Sequence, residues 1–338
     1  MINNNDVILE LSDVKVHFKL DEGLLKAVDG VSFAIRKGKT LGIVGESGCG
    51  KSVTSNAIFK ILPSYATLEG EVLLYEKDGK KLDPPIDIAK LNPTGSEIRS
   101  IRGGNIAMIF QEPMKAFSPI HTIGNQIIEG IQLHVQPDEK KAREIAIEML
   151  RKVGIANPEQ RVDEYPHQLS GGMRQRAMIA MALSCEPSIL IADEPTTALD
   201  VTVQAQVLDL INNLKDENGA SVIFITHDLG VIAEMSERVM VMYAGKVAEV
   251  ADVRTIFRAP KHPYTIGLIN SKPDMSMTAD RLTVIPGNVP DLNNKPSGCP
   301  FHPRCERAMP ECSQEYPPDR VMAPGHEVAC WLYAKGGA

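Results

Sequence analysis

The segment GESGCGKS, Gly45 to Ser52, follows the apolar run LGIV and precedes an apolar helical pattern that runs to Leu62. This is the context that a G-x-x-x-x-G-K-[ST] phosphate loop requires. Its glycines let the backbone wrap a polyphosphate, while its N–H groups and the start of the next helix face negative charge. Lys51 supplies a cation for β and γ phosphates, and the Ser52 hydroxyl can hold Mg²⁺. A second element, SILIADEP at 188–195, is an apolar run ending in two carboxylates, Asp193 and Glu194. Acids at the carboxyl end of a buried strand sit where α/β proteins bind ligands, so one can hold Mg²⁺ while the other orients water. A third, LSGGMRQR at 169–176, puts Ser170, Gly171 and Gly172 at the start of a helix. There a hydroxyl and backbone donors face outward at a positive dipole end, although an ordinary serine N-cap accounts for the same pattern.

The six cysteines fall into two groups. Cys49 lies inside the phosphate loop and Cys185 just before the SILIADEP strand, and both read as ordinary small residues. Cys299, Cys305, Cys312 and Cys330 are clustered near the end, with five, six and seventeen intervening residues. These gaps are wider than the C-x₂₋₄-C pairs of most structural zinc sites. Four thiolates suit a [4Fe-4S] cluster. Zn²⁺ is the alternative, with His302 and His326 as further candidate ligands, and unligated or oxidised thiols are a third reading. Gly298, Pro300, Pro303 and Pro310 would fix turns around such a centre, whose expected role is structural, stapling a tail too short to build its own core.

The elements that must position these groups are legible in outline. Apolar runs at 41–44, 106–110, 188–192, 221–226 and 238–243 have the texture of strands buried on both faces, which belong in a mainly parallel sheet. Ala142, Ile145, Ala146, Met149, Leu150 and Val153 recur at helical spacing, with Asp138 as N-cap and Gly154 as stop. Val203, Val207, Leu210, Ile211 and Leu214 do the same. The segments 7–18, 26–35 and 68–76 read as an antiparallel ribbon. The fold class expected is therefore α/β. After about residue 270 the texture changes, and 286–298, rich in Pro, Asn and Gly, reads as a linker or extended arm.

Length and composition set limits. The chain has 338 residues, 43% hydrophobic and 23% charged, enough for a large domain and a smaller one. A formal net charge of -7 argues against a protein built around nucleic acid or an anionic bilayer. No apolar run approaches a membrane span, and the start lacks the pattern of a signal peptide, so a cytoplasmic protein with reduced thiols is expected.

Taken together, GESGCGKS, IFQEP, LSGGM, ILIADE, TALD and ITHD, in that order over nearly the whole chain, resemble the nucleotide-binding subunit of ABC transporters. The resemblance implies a P-loop NTPase fold over 1–270, with a mainly parallel core sheet, an N-terminal antiparallel β subdomain and an α-helical subdomain at about 112–185. It implies ATP and Mg²⁺ as ligands. Gly45, Glu46, Ser47, Gly48, Cys49, Gly50, Lys51, Ser52 and Val53 would form the Walker A site, with Phe18 stacking on adenine. Ser52, Gln111 and Asp193 would attend Mg²⁺, Glu194 would polarise the attacking water, and His227 would be the switch histidine. Asp200 matches the D-loop. Ser170, Gly171 and Gly172 would reach the ATP of an opposite subunit.

EYPHQLSGGMRQRAMIAMAL, HPYTIGLINSKP, IPGNVPDL and GCPFHPRC narrow the resemblance to the peptide and nickel import group. This implies a C-terminal extension over 271–338 carrying the four-cysteine site, which some of the group resemble and others lack. It also implies two membrane permeases, a second ATPase that is either a paralogue or another copy, a substrate-binding protein outside, and peripheral attachment to the cytoplasmic face of the membrane. Import of di- or oligopeptides is the expected function. Nickel or glutathione import is the alternative within the group, and an exporter is a more distant one. ABC ATPases of DNA repair carry a long coiled coil between the Walker motifs, and translation-associated ones carry two cassettes. The sequence has neither feature.

Overall fold

The five apolar runs become strands because each finds cover on both faces; every residue of Ile106–Ile109, Ile189–Asp193 and Ser221–Ile225 is buried. The structure is a computed structural model and describes residues 6–196, 201–271 and 285–334. Strands run in the order β1 (Val7–Leu20), β2 (Gly23–Arg36), β3 (Thr40–Val44), β4 (Ala66–Lys77), β5 (Lys80–Asp87), β6 (Ile106–Ile109), β7 (Ile189–Asp193), β8 (Ser221–Ile225), β9 (Arg238–Tyr243), β10 (Lys246–Asp252), β11 (Asp319–Ala323) and β12 (His326–Ala329). Helices are α1 (Lys51–Ile58), α2 (Ser96–Ile101), α3 (Pro113–Ala116), α4 (Ile123–His134), α5 (Glu139–Lys152), α6 (Pro158–Arg161), α7 (Gly171–Leu183), α8 (Val201–Asn218), α9 (Leu229–Met235), α10 (Val253–Arg258) and α11 (Pro263–Asn270). The chain divides into two compact units, Met1–Leu9 with Ala34–Thr40 and Leu73–Ile225, and Glu10–Phe33 with Leu41–Val72 and Thr226–Ala338.

In the first unit β6, β7 and β8 are parallel neighbours, with Ile106 beside Ile189 and Ile189 beside Ser221. Ile189, Leu190 and Ile191 are fully buried, each contributing about 1.5–3 kcal/mol of apolar burial. A polar residue at any of the three would lose that and bury an unpaired group as well. Helices α4, α5 and α7 pack on one another. The side chain of Asp138 accepts from Lys141 N–H to cap α5, as its sequence leads one to expect, and Gly154 beyond its end has φ 74°. α7 is apolar nearly all round, with Ala177, Met178, Ile179, Ala180, Ala182 and Leu183 buried, so it forms the middle of the helical layer.

In the second unit β3 pairs in parallel with β9, Leu41 beside Arg238, and β10 runs antiparallel to β9. β12 then pairs antiparallel with β10, Glu249 opposite Val328, and β11 with β12. The C-terminal tail therefore adds two strands beyond β10. The sequence suggests a tail needing a staple; main-chain pairing also holds it, as does a ring cluster in which Phe301 meets Tyr243 at 5.2 Å, Tyr264 at 5.4 Å and His262 at 5.9 Å. The N-terminal strands form a four-stranded sheet in the order β2-β1-β4-β5. The sequence gives no hint of β5, KKLDPPID, because its prolines demote it; the sheet order puts it at the edge, the position where missing donors are tolerated.

Candidate functional site

The phosphate loop lies in the second unit and is shaped by close backbone contacts beneath it. A Cβ on Gly45 would come within 2.2 Å of the Met242 carbonyl oxygen, and one on Gly50 within 2.5 Å of the Ala27 oxygen. Both glycines also have positive φ, 155° and 103°, so only glycine fits at either end of the arc. Between them Ser47 and Gly48 are exposed. Lys51 is buried to 5% exposure, and its Nζ donates to the oxygens of Gly45 at 2.8 Å and Glu46 at 3.2 Å. The lysine is thus held inside the arc by the loop's own carbonyls. α1 has no side-chain cap at Gly50, which leaves its first N–H groups for an anion. Cys49 is buried, and burial pushes its thiol pKa up, as suits a small packing residue. Ser52 and Val53 are half-buried at the start of α1. Phe18 is half-buried with its ring 5.9 Å from Tyr65, and His227 is exposed.

The carboxylates lie in the first unit, at the end of β7. Asp193 is buried at 4% exposure. Glu194 has φ 48°, in the left-handed region that a glutamate seldom adopts, and its N–H donates to the Ile225 oxygen at 2.8 Å. Gln111 reaches across from the end of β6, its Nε2 donating to Glu194 Oε2 at 3.0 Å. Two residues far apart in sequence are thereby brought together. Ser170 is exposed and caps α7, accepting from Met173 N–H at 3.3 Å; Gly171 is exposed and Gly172 half-buried beside it. Gln175, one turn on, is buried and donates to the Pro195 oxygen, tying this helix to the turn that carries Glu194. Asp200 lies outside the described residues.

Tyr264 and Arg304 lie within HPYTIGLINSKP and GCPFHPRC, but nothing in those stretches points to the phosphate loop. The Tyr264 hydroxyl accepts from the Glu46 N–H at 2.9 Å, and Arg304 donates to both Glu46 carboxylate oxygens, at 2.7 and 3.0 Å. Arg304 also donates to Tyr243 Oη at 3.2 Å and to the Pro286 oxygen at 2.9 Å. The arm that reads as a linker is therefore tied down at Pro286, and again where Lys295 donates to the Lys26 oxygen.

The four tail cysteines are free and line one small cavity, with His262, His302 and Phe301. Burial pushes Cys299 up to about 12 and Cys330 up to about 11, held back by the N–H groups of Phe301 and Leu332 and reinforced by the neighbouring thiols. Cys305 is raised by burial and held back by the Arg307 N–H, and Cys312 accepts from the Met309 N–H at 3.4 Å. Among the described residues, however, no group of three or more His, Cys, Asp or Glu stands close enough to hold a metal ion. The closed ligand set expected from the sequence is thus not formed here. His326 is withdrawn from the candidates, since its Nε2 contacts buried Glu249 at 2.8 Å, and Glu249 also accepts the N–H groups of Lys261 and His262.

His262 gives the tail a pH dependence. Its Nδ1 accepts from Tyr264 N–H at 3.0 Å and caps α11, and full burial pushes its pKa down to about 4. Above the ordinary value near 6.5 the stabilisation is complete. Below it the unfolded chain takes up a proton that the folded chain refuses, and stability is lost until the pH reaches about 4, by about 3 kcal/mol. Denaturant melts from pH 7 to 4 are expected to show a steeper loss for the parent than for His262→Asn, which keeps a capping acceptor; parallel curves would count against this.

A phosphate loop after a parallel strand and a carboxylate pair ending another define the nucleotide-binding class of α/β proteins. Comparison with known proteins is more specific. The family described as "ABC transporter" matches residues 28–197, and that described as "Oligopeptide/dipeptide transporter, C-terminal region" matches 248–312. The dipeptide transport ATP-binding protein DppD of Bacillus subtilis is 48% identical over 327 residues, covering 96% of this chain and 94% of that protein. The oligopeptide transport ATP-binding protein AppD of the same organism is 46% identical over 333 residues, 98% of each. A solved structure, the dimeric post-hydrolysis state of the ATP-binding cassette MJ0796 bound to ADP and Pi, superposes with TM-score 0.63 at 29% identity, covering 73% of this chain and 99% of that one. The chain belongs to the ABC transporter family.

Proposed function

We propose that the chain is the ATP-hydrolysing subunit of an importer of di- and oligopeptides. The observation that carries this is the hydrogen bond from Gln111 to Glu194 beside buried Asp193, in a chain whose C-terminal region matches oligopeptide and dipeptide transporters. In this reading Gly45 to Val53 wrap the phosphates, Lys51 leaves its carbonyl partners for the β and γ oxygens, and Phe18 stacks on the base. Ser52, Asp193 and Gln111 would hold Mg²⁺, which would supply charge neutralisation at the phosphates. Glu194 takes a proton from water as the water oxygen bonds to the γ-phosphorus; the β–γ bridging oxygen leaves with ADP, and inorganic phosphate is released. His227 acts as the switch histidine, and Ser170, Gly171 and Gly172 bind the ATP of a second copy or a paralogue. Asp200 acts as the D-loop residue.

Residues 1–270 form the cassette and 271–338 the extension. Among the described residues no helix is long and apolar enough to cross a membrane. The likeness to transporter ATP-binding proteins supports peripheral attachment through two permease subunits on the cytoplasmic face. The test is ATP-driven uptake by the complete transporter reconstituted in vesicles. Accumulation of labelled di- or oligopeptide is expected, whereas uptake confined to nickel or glutathione would replace the cargo assignment.

The extension is also proposed to hold a [4Fe-4S] cluster on Cys299, Cys305, Cys312 and Cys330, with a structural role. Four thiols around one cavity, each sulfur facing a backbone N–H, support this reading; burial raises Cys299, Cys305 and Cys330, and ligation to iron would hold them as thiolates. Protein purified without air is expected to carry about four irons and four acid-labile sulfides per chain. One zinc, or no metal, would remove the cluster and leave the ATPase reading intact.

A further inference from the structure

Glu46 presents a physical problem. It places a carboxylate, about a quarter exposed, in the second position of a loop whose backbone is arranged for anions. Left alone it would repel the polyphosphate that the loop is read as binding. The answer comes from far along the chain. Arg304 is buried, with its side chain 6% exposed, and it grips Glu46 with both ends of its fork. Every N–H of that guanidinium has an acceptor: Pro286 oxygen for Nε, Glu46 Oε2 and Tyr243 Oη for Nη1, Glu46 Oε1 and, at 3.5 Å, Ile285 oxygen for Nη2. Its backbone belongs to a short helical turn, His302–Arg304, whose Phe301 is fixed in the cluster of Tyr243, Tyr264 and His262. The loop side is equally fixed, because Tyr264 Oη receives the Glu46 N–H.

We propose that Arg304, in the C-terminal tail, is a positioning residue for nucleotide binding: it neutralises Glu46 and pins it, so that the phosphate loop meets its ligand without a facing negative charge. This rests on the ATP-binding reading of the loop. It makes the tail part of the nucleotide site's electrostatics as well as of the sheet.

The experiment measures equilibrium binding of ATP, and KM against kcat, for the full chain assembled with its permeases. Arg304→Gln is expected to weaken ATP binding by about tenfold or more, with the change in KM and not in kcat. Adding Glu46→Gln to that variant is expected to restore most of the affinity, because it removes the charge that Arg304 neutralises. A purely structural role for Arg304 would not give this rescue. Binding by Arg304→Gln equal to the parent, or a double variant as weak as the single one or weaker, overturns the proposal. If Arg304→Gln fails to fold, Arg304→Lys, which keeps the charge but not the fork, is expected to retain ATP affinity near the parent's, and a loss that Glu46→Gln does not restore overturns the proposal. Failure of the parent itself to bind ATP would be a failure of the loop's reading, distinct from these outcomes.

Discussion

Glu194→Gln is expected to lower ATP turnover of the assembled transporter by about 10²–10⁴-fold while leaving ATP binding intact. The substitution keeps the size of the side chain and its capacity to accept from Gln111 Nε2, now 3.0 Å from Glu194 Oε2. What it removes is the negative charge and the base. The backbone at this position is already held in the left-handed region by the bond from its N–H to Ile225, so the side chain's direction is set by the main chain and survives the change. Turnover is measured as phosphate release, and affinity by equilibrium binding under the same conditions. Unchanged turnover would dismiss Glu194 as the water-polarising group. Loss of binding in proportion to turnover would recast it as a ligand to the metal or nucleotide.

Lys51→Met is expected to raise the dissociation constant for ATP by about 100-fold or more. Lys51 is the buried cation of the loop, and in the absence of nucleotide it is satisfied by the Gly45 and Glu46 carbonyls. Methionine fills much the same space but takes the lysine donor from the Gly45 oxygen, while the Glu46 oxygen keeps the Cys49 N–H at 3.2 Å, and it gives the phosphates no charge-assisted partner. The loss of such a bond costs about 1.5–3 kcal/mol and the loss of a buried charge partner more, which corresponds to one to several factors of ten in affinity. Binding within threefold of the parent would mean that Lys51 does not contact the phosphates. Because Gly45 and Gly50 are shaped by contacts with Met242 and Ala27, the loop itself is expected to keep its form in this variant.

These two sites were legible from the sequence because each is local. A glycine arc between strand and helix, and a pair of acids closing an apolar run, declare their geometry within eight residues. The strands were legible for a similar reason: five uninterrupted apolar runs had to be covered on both faces, and all five are. The helix from Glu139 was bounded by its own cap and stop, Asp138 and Gly154. Edge strand β5 escaped notice because its prolines speak against a strand, and only its place beside β4 accounts for it.

The sequence by itself determined which side chains are proposed to carry chemistry and in what order they occur. It also showed that a cysteine-bearing tail follows. The tertiary structure decided what the tail is joined to. β12 pairs with β10, Glu249 gathers the N–H groups of Lys261 and His262 and the ring of His326 from two points in the chain, and Arg304 closes on Glu46 across 258 residues. Such contacts leave no periodicity and no motif, since a buried charge finds its partner by proximity in the folded chain and the energy of the pair is indifferent to the length of chain between them. The same holds for Gln111 and Glu194, whose hydrogen bond depends on the ends of β6 and β7 lying side by side.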